Sequence, residues 1–427
     1  MATINKKRQL GRPVSVVGAG LSQFGAFPDK DSRDLFVEAF RDMIQNMDKG
    51  FDIQDFECAY VGNYSSDLFE HQGHTAPIVA DWLGITPIPI TRIENACASS
   101  GSALREGVMA IASGMYDVVL VGGMEKMTNL PTDGVTDVLA SAADGLYEVP
   151  AGLTFPGIFG AIAKAHMDRY ETKTLYHLLK VAIKNHANGA LNPKAQFQQT
   201  VNTMAERRIA RAQERGQDVP EYNSELDFLN DERANPWIAW PLRLYDCAPI
   251  TDGASCVLLV SEDIAHNFTD KPINIAGIGQ ATGKPLHDSD ELTSLSAAKA
   301  ASQQAYEMAG ITVSNVDLAE VHDCFTIAEI VATEDLGFFA PGDGPRAVDE
   351  GRTARDGDHP INTSGGLKAK GHPVGASGVG QVIEIYHQLR GEGGERQVKK
   401  ENPTVGVTHN VGGTGGTCVV NVLRRES

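Results

Sequence analysis

The residue best suited to nucleophilic chemistry is Cys97, in the segment ENACASSG at 94–101. An apolar stretch precedes it and a helical pattern follows, so the sequence places this cysteine at a turn from strand to helix. Backbone N–H groups and the helix dipole at such a turn favour the thiolate, the form that attacks carbonyl carbons. We therefore predict a nucleophile at Cys97. The alternative is a packing residue, because free cysteine is among the most buried residue types.

A second segment, LKAKGHPVGASG at 367–378, carries His372 among glycines and also leads into a helical pattern. Histidine is the side chain that most often accepts a proton near neutral pH. We predict that His372 is the base that activates Cys97.

Two further segments carry groups for proton transfer and for binding an oxyanion. In HDCF at 322–325, His322 and Cys324 follow an apolar strand two residues apart, so both side chains point to one side. In THNVGGTGG at 408–416, the glycines allow the backbone to approach a ligand and to supply N–H donors. The remaining cysteines have apolar or small neighbours and are interpreted as packing residues: Cys58, Cys247, Cys256 and Cys418.

An internal repeat brings these segments together. PVSVVGAG at 13–20 is answered by PINIAGIG at 272–279, and AYVGN at 59–63 and VVLVGGMEK at 118–126 also have counterparts, at 319–323 and 405–413. Strands alternate with helices in both halves, which predicts an α/β duplication. The predicted parts are a first half at 1–129 continued at 241–268, an inserted lid or loop region at 130–240, and a second half at 269–427. In this alignment the Cys97 and His372 loops are equivalent and meet at one crevice.

The inserted region differs from the two halves in its residue pattern and its charge. An amphipathic helix is predicted from Phe159 to Asn188, followed by a charged run that is helical early on and exposed. The plain interpretation of this run is a solvated helix. The alternative is a local positive patch for phosphates, formed by Arg207, Arg208, Arg211 and Arg215.

Composition excludes several classes of function. The 427 residues include 37 Lys+Arg and 55 Asp+Glu, a formal net charge of −18, which argues against nucleic acid or an anionic membrane as partner. We see no apolar run long enough to span a membrane, no secretory signal pattern, no peroxisomal C-terminal signal and no C-x-x-C pair. A cytoplasmic protein is expected.

The motifs NACASSG, LKAKGHPVGASG, VVLVGGMEKMTN and PITDGAS, with the glycine-rich loop before the last strand, resemble those of the thiolase family across nearly the whole chain. HDCF is similar to the sterol-carrier-type and archaeal-type branch. The family includes acetyl-CoA acetyltransferases and 3-oxoacyl-CoA thiolases. The resemblance implies two duplicated βαβαβαββ halves that form a five-layered αβαβα sandwich.

The resemblance also implies an activity and residue roles. The reaction is the reversible CoA-dependent cleavage or Claisen condensation of a 3-oxoacyl-CoA (acetoacetyl-CoA or a longer or aromatic one) in lipid metabolism such as β-oxidation, through an acyl group on Cys97. Cys324 takes the acid/base role, because Asn410 stands where other thiolases carry a second cysteine. Two oxyanion holes are implied: the N–H groups of Cys97 and Gly412, and the side chains of His322 and His372. Substrate contacts are expected at Phe325, Asn410 and Gly413. CoA is a substrate, and no metal or cofactor is implied.

Partners and alternatives follow from the same resemblance. A homodimer or dimer of dimers is expected, and a separate small zinc-ribbon and OB-fold subunit that binds acyl-CoA is an open possibility. One alternative function is a decarboxylating ketosynthase-like condensing enzyme, which needs one cysteine and two histidines. Another is a non-catalytic acyl-CoA-binding subunit of a larger complex.

Overall fold

The structure is a computed structural model that describes residues 8–172 and 174–426, and for Thr174 the backbone only. Residues 1–7 and Ser427, on which the targeting predictions partly rest, lie outside the described residues. The strands are β1 Val14–Leu21, β2 Cys58–Gly62, β3 Ile90–Ile93, β4 Val118–Glu125, β5 Trp237–Ala239, β6 Leu242–Arg243, β7 Gly253–Ser261, β8 Ile273–Thr282, β9 Leu318–Glu320, β10 Val405–Gly412 and β11 Thr417–Arg425. The helices are α1 Ser32–Gln45, α2 Ser66–Phe69, α3 Thr75–Leu83, α4 Ser99–Ala112, α5 Thr132–Ala140, α6 Phe155–Tyr170, α7 Thr174–Gly189, α8 Val201–Glu214, α9 Glu225–Asn230, α10 Glu262–Ala265, α11 Ser296–Ala309, α12 Thr326–Asp335, α13 Gly344–Asp349, α14 Gly366–Ala369 and α15 Ser377–Arg390.

The two halves carry matching sheets. The first has strand order β3-β2-β4-β7-β1 and the second β8-β11-β10-β9, and they are joined where β1 pairs with β8 through only two residue pairs. Both contain parallel pairs on the outer side and antiparallel pairs toward the junction. The counterpart of β3 is reduced to a single bridge between Ile361 and Ala319, because Asn362 leaves the extended conformation with a φ of 58°.

Helices pack in three layers around these sheets. The central layer contains α4 and α15, whose apolar side chains, such as Leu104 and Val382, are buried with residues of both sheets. One outer layer, α1 and α3, covers the first sheet, and the other, α11 and α12, covers the second. The predicted five-layered α/β duplication is confirmed.

The region between β4 and β7 contains α5 to α9 and the short β5–β6 hairpin. The single helix predicted at 159–188 is wrong, because α6 ends at Tyr170 and α7 begins at Thr174. Glu171 follows α6 with a positive φ of 50°, which interrupts the helical path. Residues of α6 pack against Cys324 and Phe325, so this region covers the end of the sheets where the reactive segments meet. Within residues 8–172 and 174–426, we find no helix with the length and apolar character needed to cross a membrane.

Candidate active site

Cys97 lies between the end of β3 and the start of α4, in a tight turn. Ala96 has a positive φ of 49°, and its carbonyl accepts a hydrogen bond from the Ser99 hydroxyl at 2.6 Å. The Asn95 side chain donates to the Ser102 hydroxyl at 2.9 Å, which ties the turn to the first turns of the helix. The predicted turn from strand to helix is therefore present, and it directs the thiol into a crevice between the two halves.

The crevice brings four predicted side chains together. The Cys97 sulfur and one ring nitrogen each of His322 and His372 all lie within 4.8 Å of one another. The two rings stand edge to face, with centroids 5.1 Å apart and an interplanar angle of 82°. Cys324 lines the same cavity. The groups singled out on segments far apart in the chain thus share one small reaction chamber.

Burial sets the protonation state of Cys97. It raises the pKa of the thiol to about 12, although the backbone N–H of Gly413 donates to the sulfur and favours the thiolate. Loss of solvation thus outweighs the donors at the turn, which by themselves favour the thiolate. Cys97 therefore needs a base before it can attack.

His372 is prepared to be that base. The Ser377 hydroxyl lies 2.9 Å from the Pro373 carbonyl and 2.7 Å from His372 Nδ1. We assign its one proton to the carbonyl, which makes Nδ1 the donor to the hydroxyl. Burial lowers the pKa of His372 to about 3, so the ring is neutral and Nε2 carries a lone pair. Among the described residues Nε2 has no hydrogen-bond partner and remains free to accept the Cys97 proton.

HDCF supplies the opposite wall of the chamber. The backbone N–H of His322 donates to Nδ1 of His409 at 3.3 Å, which holds the end of this strand against β10. Cys324 is buried, and burial with nearby Cys97 raises the pKa of its thiol well above the usual value. The ring of Phe325 stacks on Phe159 at 4.7 Å and lines the cavity.

The cavity around these groups is small, about 80 Å³, and mostly apolar. On the side of Cys97 its wall contains Tyr64, Met127, Leu139, Ala142, Ile250 and Val374. The one hydroxyl in that group belongs to Tyr64 and contacts the Val138 carbonyl and the Ser141 hydroxyl. A group attached to the Cys97 sulfur therefore meets hydrocarbon on this side.

The other predicted site residues lie at the edge of this cavity or outside it. The amide that donates to the Cys97 sulfur is that of Gly413, which lines the cavity, whereas Gly412 pairs with Thr417 in the β10–β11 ladder. Asn410 does not line the cavity and lies behind it, with Nδ2 2.9 Å from the Cys97 carbonyl and 3.3 Å from His322 Nδ1. A separate cavity of about 610 Å³ is lined by Arg207, Arg208, Arg211 and Arg215.

Two buried carboxylates that sequence reasoning missed hold the loops in place. Glu125 accepts hydrogen bonds from the N–H groups of Tyr64, Ser65 and Gly375, and burial raises its pKa to about 7. Asp323 accepts from the Leu367 amide at 2.6 Å and so ties HDCF to the His372 loop. No local pattern predicts these links, because donor and acceptor are far apart in the chain.

Comparison with known proteins agrees with the geometry. Residues 14–263 match the family model "Thiolase, N-terminal domain" and residues 279–425 match "Thiolase C-terminal domain-like". The chain is 42% identical to an acetyl-CoA acetyltransferase of Methanothermobacter thermautotrophicus over 97% of this chain and all of that protein. It is 32% identical to human sterol carrier protein 2 over 97% of this chain and 72% of that protein. A solved Ltp2–ChsH2(DUF35) aldolase superposes with a TM-score of 0.78 at 22% identity, covering 98% of both chains.

Proposed function

The chain belongs to the thiolase family and is an acyltransferase, and we propose that it transfers acyl groups between CoA thioesters through an acyl group on Cys97. The observation that carries the proposal is the placement of the Cys97 sulfur within 4.8 Å of a ring nitrogen of His322 and of His372, with Cys324 in the same cavity. The reaction is the condensation of two acyl-CoA molecules to a 3-oxoacyl-CoA, or the reverse thiolysis.

Acylation of Cys97 is the first half-reaction. His372 Nε2 takes the thiol proton as the sulfur attacks the thioester carbonyl. We assign the oxyanion of this step to the N–H groups of Cys97 and Gly413, because the Gly413 amide already points at the sulfur. The CoA thiolate then leaves with the proton of Cys324, so that a protonated His372 and a Cys324 thiolate remain.

Carbon–carbon bond formation is the second half-reaction. The Cys324 thiolate removes an α-proton from a second thioester, and burial helps because a raised thiol pKa means a stronger base. His322 and protonated His372 donate to the enolate oxygen. The carbanion attacks the acyl carbonyl, and Cys97 leaves as a thiolate that recovers its proton from His372. This sequence requires no metal and no redox cofactor.

The wall on the Cys97 side supports an apolar acyl group. Among the described residues, the side chains of this wall offer no free hydrogen-bond donor to a polar chain, since the Tyr64 hydroxyl already has two partners. Desolvating a carboxylate against hydrocarbon is costly. Acetyl and other hydrocarbon acyl groups therefore fit, and acyl groups that end in a carboxylate do not.

The arginine-lined cavity suits the phosphates of CoA. Tyr245 lines it, and Ala248, three residues further on, lines the catalytic cavity, a span of roughly 10 Å at most. A second connection runs along residues 196–199. At one end the Gln196 side chain donates to the carbonyl of Ile250, which lines the catalytic cavity, at 3.3 Å, and at the other end Gln199 lines the arginine-lined cavity. An extended pantetheine chain is long enough to join the two cavities.

Assembly and compartment are also proposals. The edge strand β3 supports a homodimer, because its outer N–H and C=O groups have no partner strand within the described chain. The likeness to a complex whose printed title includes a DUF35 chain supports a separate small acyl-CoA-binding partner. Free cysteines at all six positions support a reducing compartment such as the cytoplasm.

The proposal is tested by separating acylation from condensation. After incubation with acetyl-CoA, mass spectrometry is expected to find one acetyl group on Cys97, and a Cys97→Ala variant is expected to carry none. A Cys324→Ala variant should lower thiolysis of acetoacetyl-CoA about 100-fold or more, as expected for loss of a general acid or base.

The alternatives predict other outcomes. Full condensation and thiolysis by Cys324→Ala would point to a ketosynthase-like enzyme. An unmodified Cys97 in the wild type would point to a non-catalytic acyl-CoA-binding subunit.

A further inference from the structure

The side chain of Asn410 occupies a confined space behind the reaction chamber. It is 1% exposed and lies between the first turns of α4 and α15. An added Cβ on Gly101 would lie 2.6 Å from Asn410 Oδ1, and one on Gly378 would lie 2.3 Å from it. Two glycines on two helices thus provide the room for one amide oxygen.

Two independent surroundings orient the amide of Asn410. The Cys97 carbonyl lies 2.9 Å from Nδ2 and only accepts hydrogen bonds, so the NH₂ group must face it. The oxygen lies against the N-terminal turns of α4 and α15, whose helix dipoles favour a partly negative atom, and it accepts no hydrogen bond among the described residues. Turning the amide over would place its oxygen against the Cys97 carbonyl oxygen and its NH₂ group against the positive ends of the two helix dipoles.

This orientation determines which nitrogen of His322 carries the proton. Asn410 Nδ2 is a donor and lies 3.3 Å from His322 Nδ1, which must therefore accept. The ring is neutral, because burial and the adjacent His372 and His409 lower the pKa of His322 well below its usual value. A neutral ring with an accepting Nδ1 carries its proton on Nε2.

We propose that Asn410 is a positioning residue that keeps the proton of His322 on Nε2, so that this histidine presents an N–H donor to the enolate oxygen. Ser377 does the opposite for His372, whose proton lies on Nδ1 and whose Nε2 accepts. The two histidines therefore begin the reaction as one donor and one acceptor. The catalytic consequence rests on the proposed thiolase function, whereas the proton position does not.

The test is an Asn410→Asp variant, which has nearly the same shape. Its side chain accepts from His322 Nδ1, so the proton moves there and Nε2 presents a lone pair to the enolate oxygen. Long-range ¹H–¹⁵N spectra of histidine-labelled protein are expected to show His322 protonated on Nε2 in the wild type and on Nδ1 in the variant. Exchange of the acetyl-CoA α-proton with solvent deuterium should fall about 100-fold or more, while acetylation of Cys97 changes only a few-fold.

Two further variants make the outcome decisive. Ser377→Ala is the matched control: it should slow acetylation of Cys97 and leave the His322 proton on Nε2. Asn410→Leu removes the amide contacts without supplying an acceptor, and should leave His322 as a mixture of both forms. A His322 that keeps its proton on Nε2 in Asn410→Asp, or an unchanged exchange rate in that variant, would overturn the inference. A wild type that never acylates Cys97 would overturn the proposed function, and the spectra would still decide the proton position.

Discussion

At the scale of single residues, Cys97 and His372 begin as a neutral thiol and a neutral imidazole. The pKa of Cys97 is raised to about 12 and that of His372 is lowered to about 3, both by burial, so an ion pair is disfavoured on both sides. We predict that alkylation of Cys97 by iodoacetamide accelerates about tenfold per pH unit from pH 6 to pH 9, because the thiolate fraction rises in that proportion below the pKa. Peptide mass spectrometry follows Cys97 separately from Cys247, which is also partly exposed. A rate that levels off near pH 7 would instead indicate a stable thiolate–imidazolium pair.

At the scale of elements, α8 adds a cationic wall to a chain with an overall negative charge. Its three arginines on the cavity, and Arg215 directly after it, form no ion pair with a carboxylate within the described ranges, whereas the neighbouring Arg233 pairs with Asp231. We predict that the double variant Arg207→Gln/Arg211→Gln raises the KM for CoA about tenfold and changes the KM for 3′-dephospho-CoA much less, since a charge-assisted contact to the lost phosphate is removed. Steady-state thiolysis with both thiols measures this. Arg346→Gln on α13 is the control for a change in net charge alone. Equal changes in the KM for CoA and for 3′-dephospho-CoA would support the interpretation of α8 as a solvated helix that does not contact this phosphate.

At the scale of the whole molecule, the two edges of the nine-stranded sheet differ. The edge at β9 is covered by the bridge to Ile361, whereas β3 is open among the described residues. The amides of Ala59 in β2 and of Asn63, directly after it, donate to the carbonyls of Pro89 and Ile93. The alternate residue Ile90 therefore turns its own N–H outward. We predict that light scattering finds the wild type as a dimer, with twice the chain mass of 45.7 kDa. The Ile90→Pro variant should be a monomer with the mass of one chain, because proline removes the outward N–H. Ile90→Ala, which keeps the N–H, should remain a dimer. A monomeric wild type, or a dimeric proline variant, would exclude pairing through β3.

The sequence was sufficient for the duplicated fold and for the four side chains that meet in the chamber. Repeated strand patterns and glycine-rich turns are local features of the sequence. The segments that carry them place the reactive residues at the end of a strand or at the start of a helix. The equivalence of the Cys97 and His372 loops then predicts their meeting, which the sulfur-to-nitrogen distances within 4.8 Å agree with. Boundaries were less predictable, because the break between α6 and α7 depends on a single residue with positive φ.

Only the tertiary structure decided the protonation states of Cys97, His322 and His372. Whether Cys97 is a thiol depends on how completely packing removes water, and a short motif does not encode packing. The protons of the histidines depend on partners brought together by the fold: Asn410 reaches the Cys97 carbonyl across 313 residues of chain. The same holds for Gly413 as the amide at the sulfur and for the separate cavity of the α8 arginines. The motifs thus determined which atoms could react, and long-range contacts decided which of them donate and which accept.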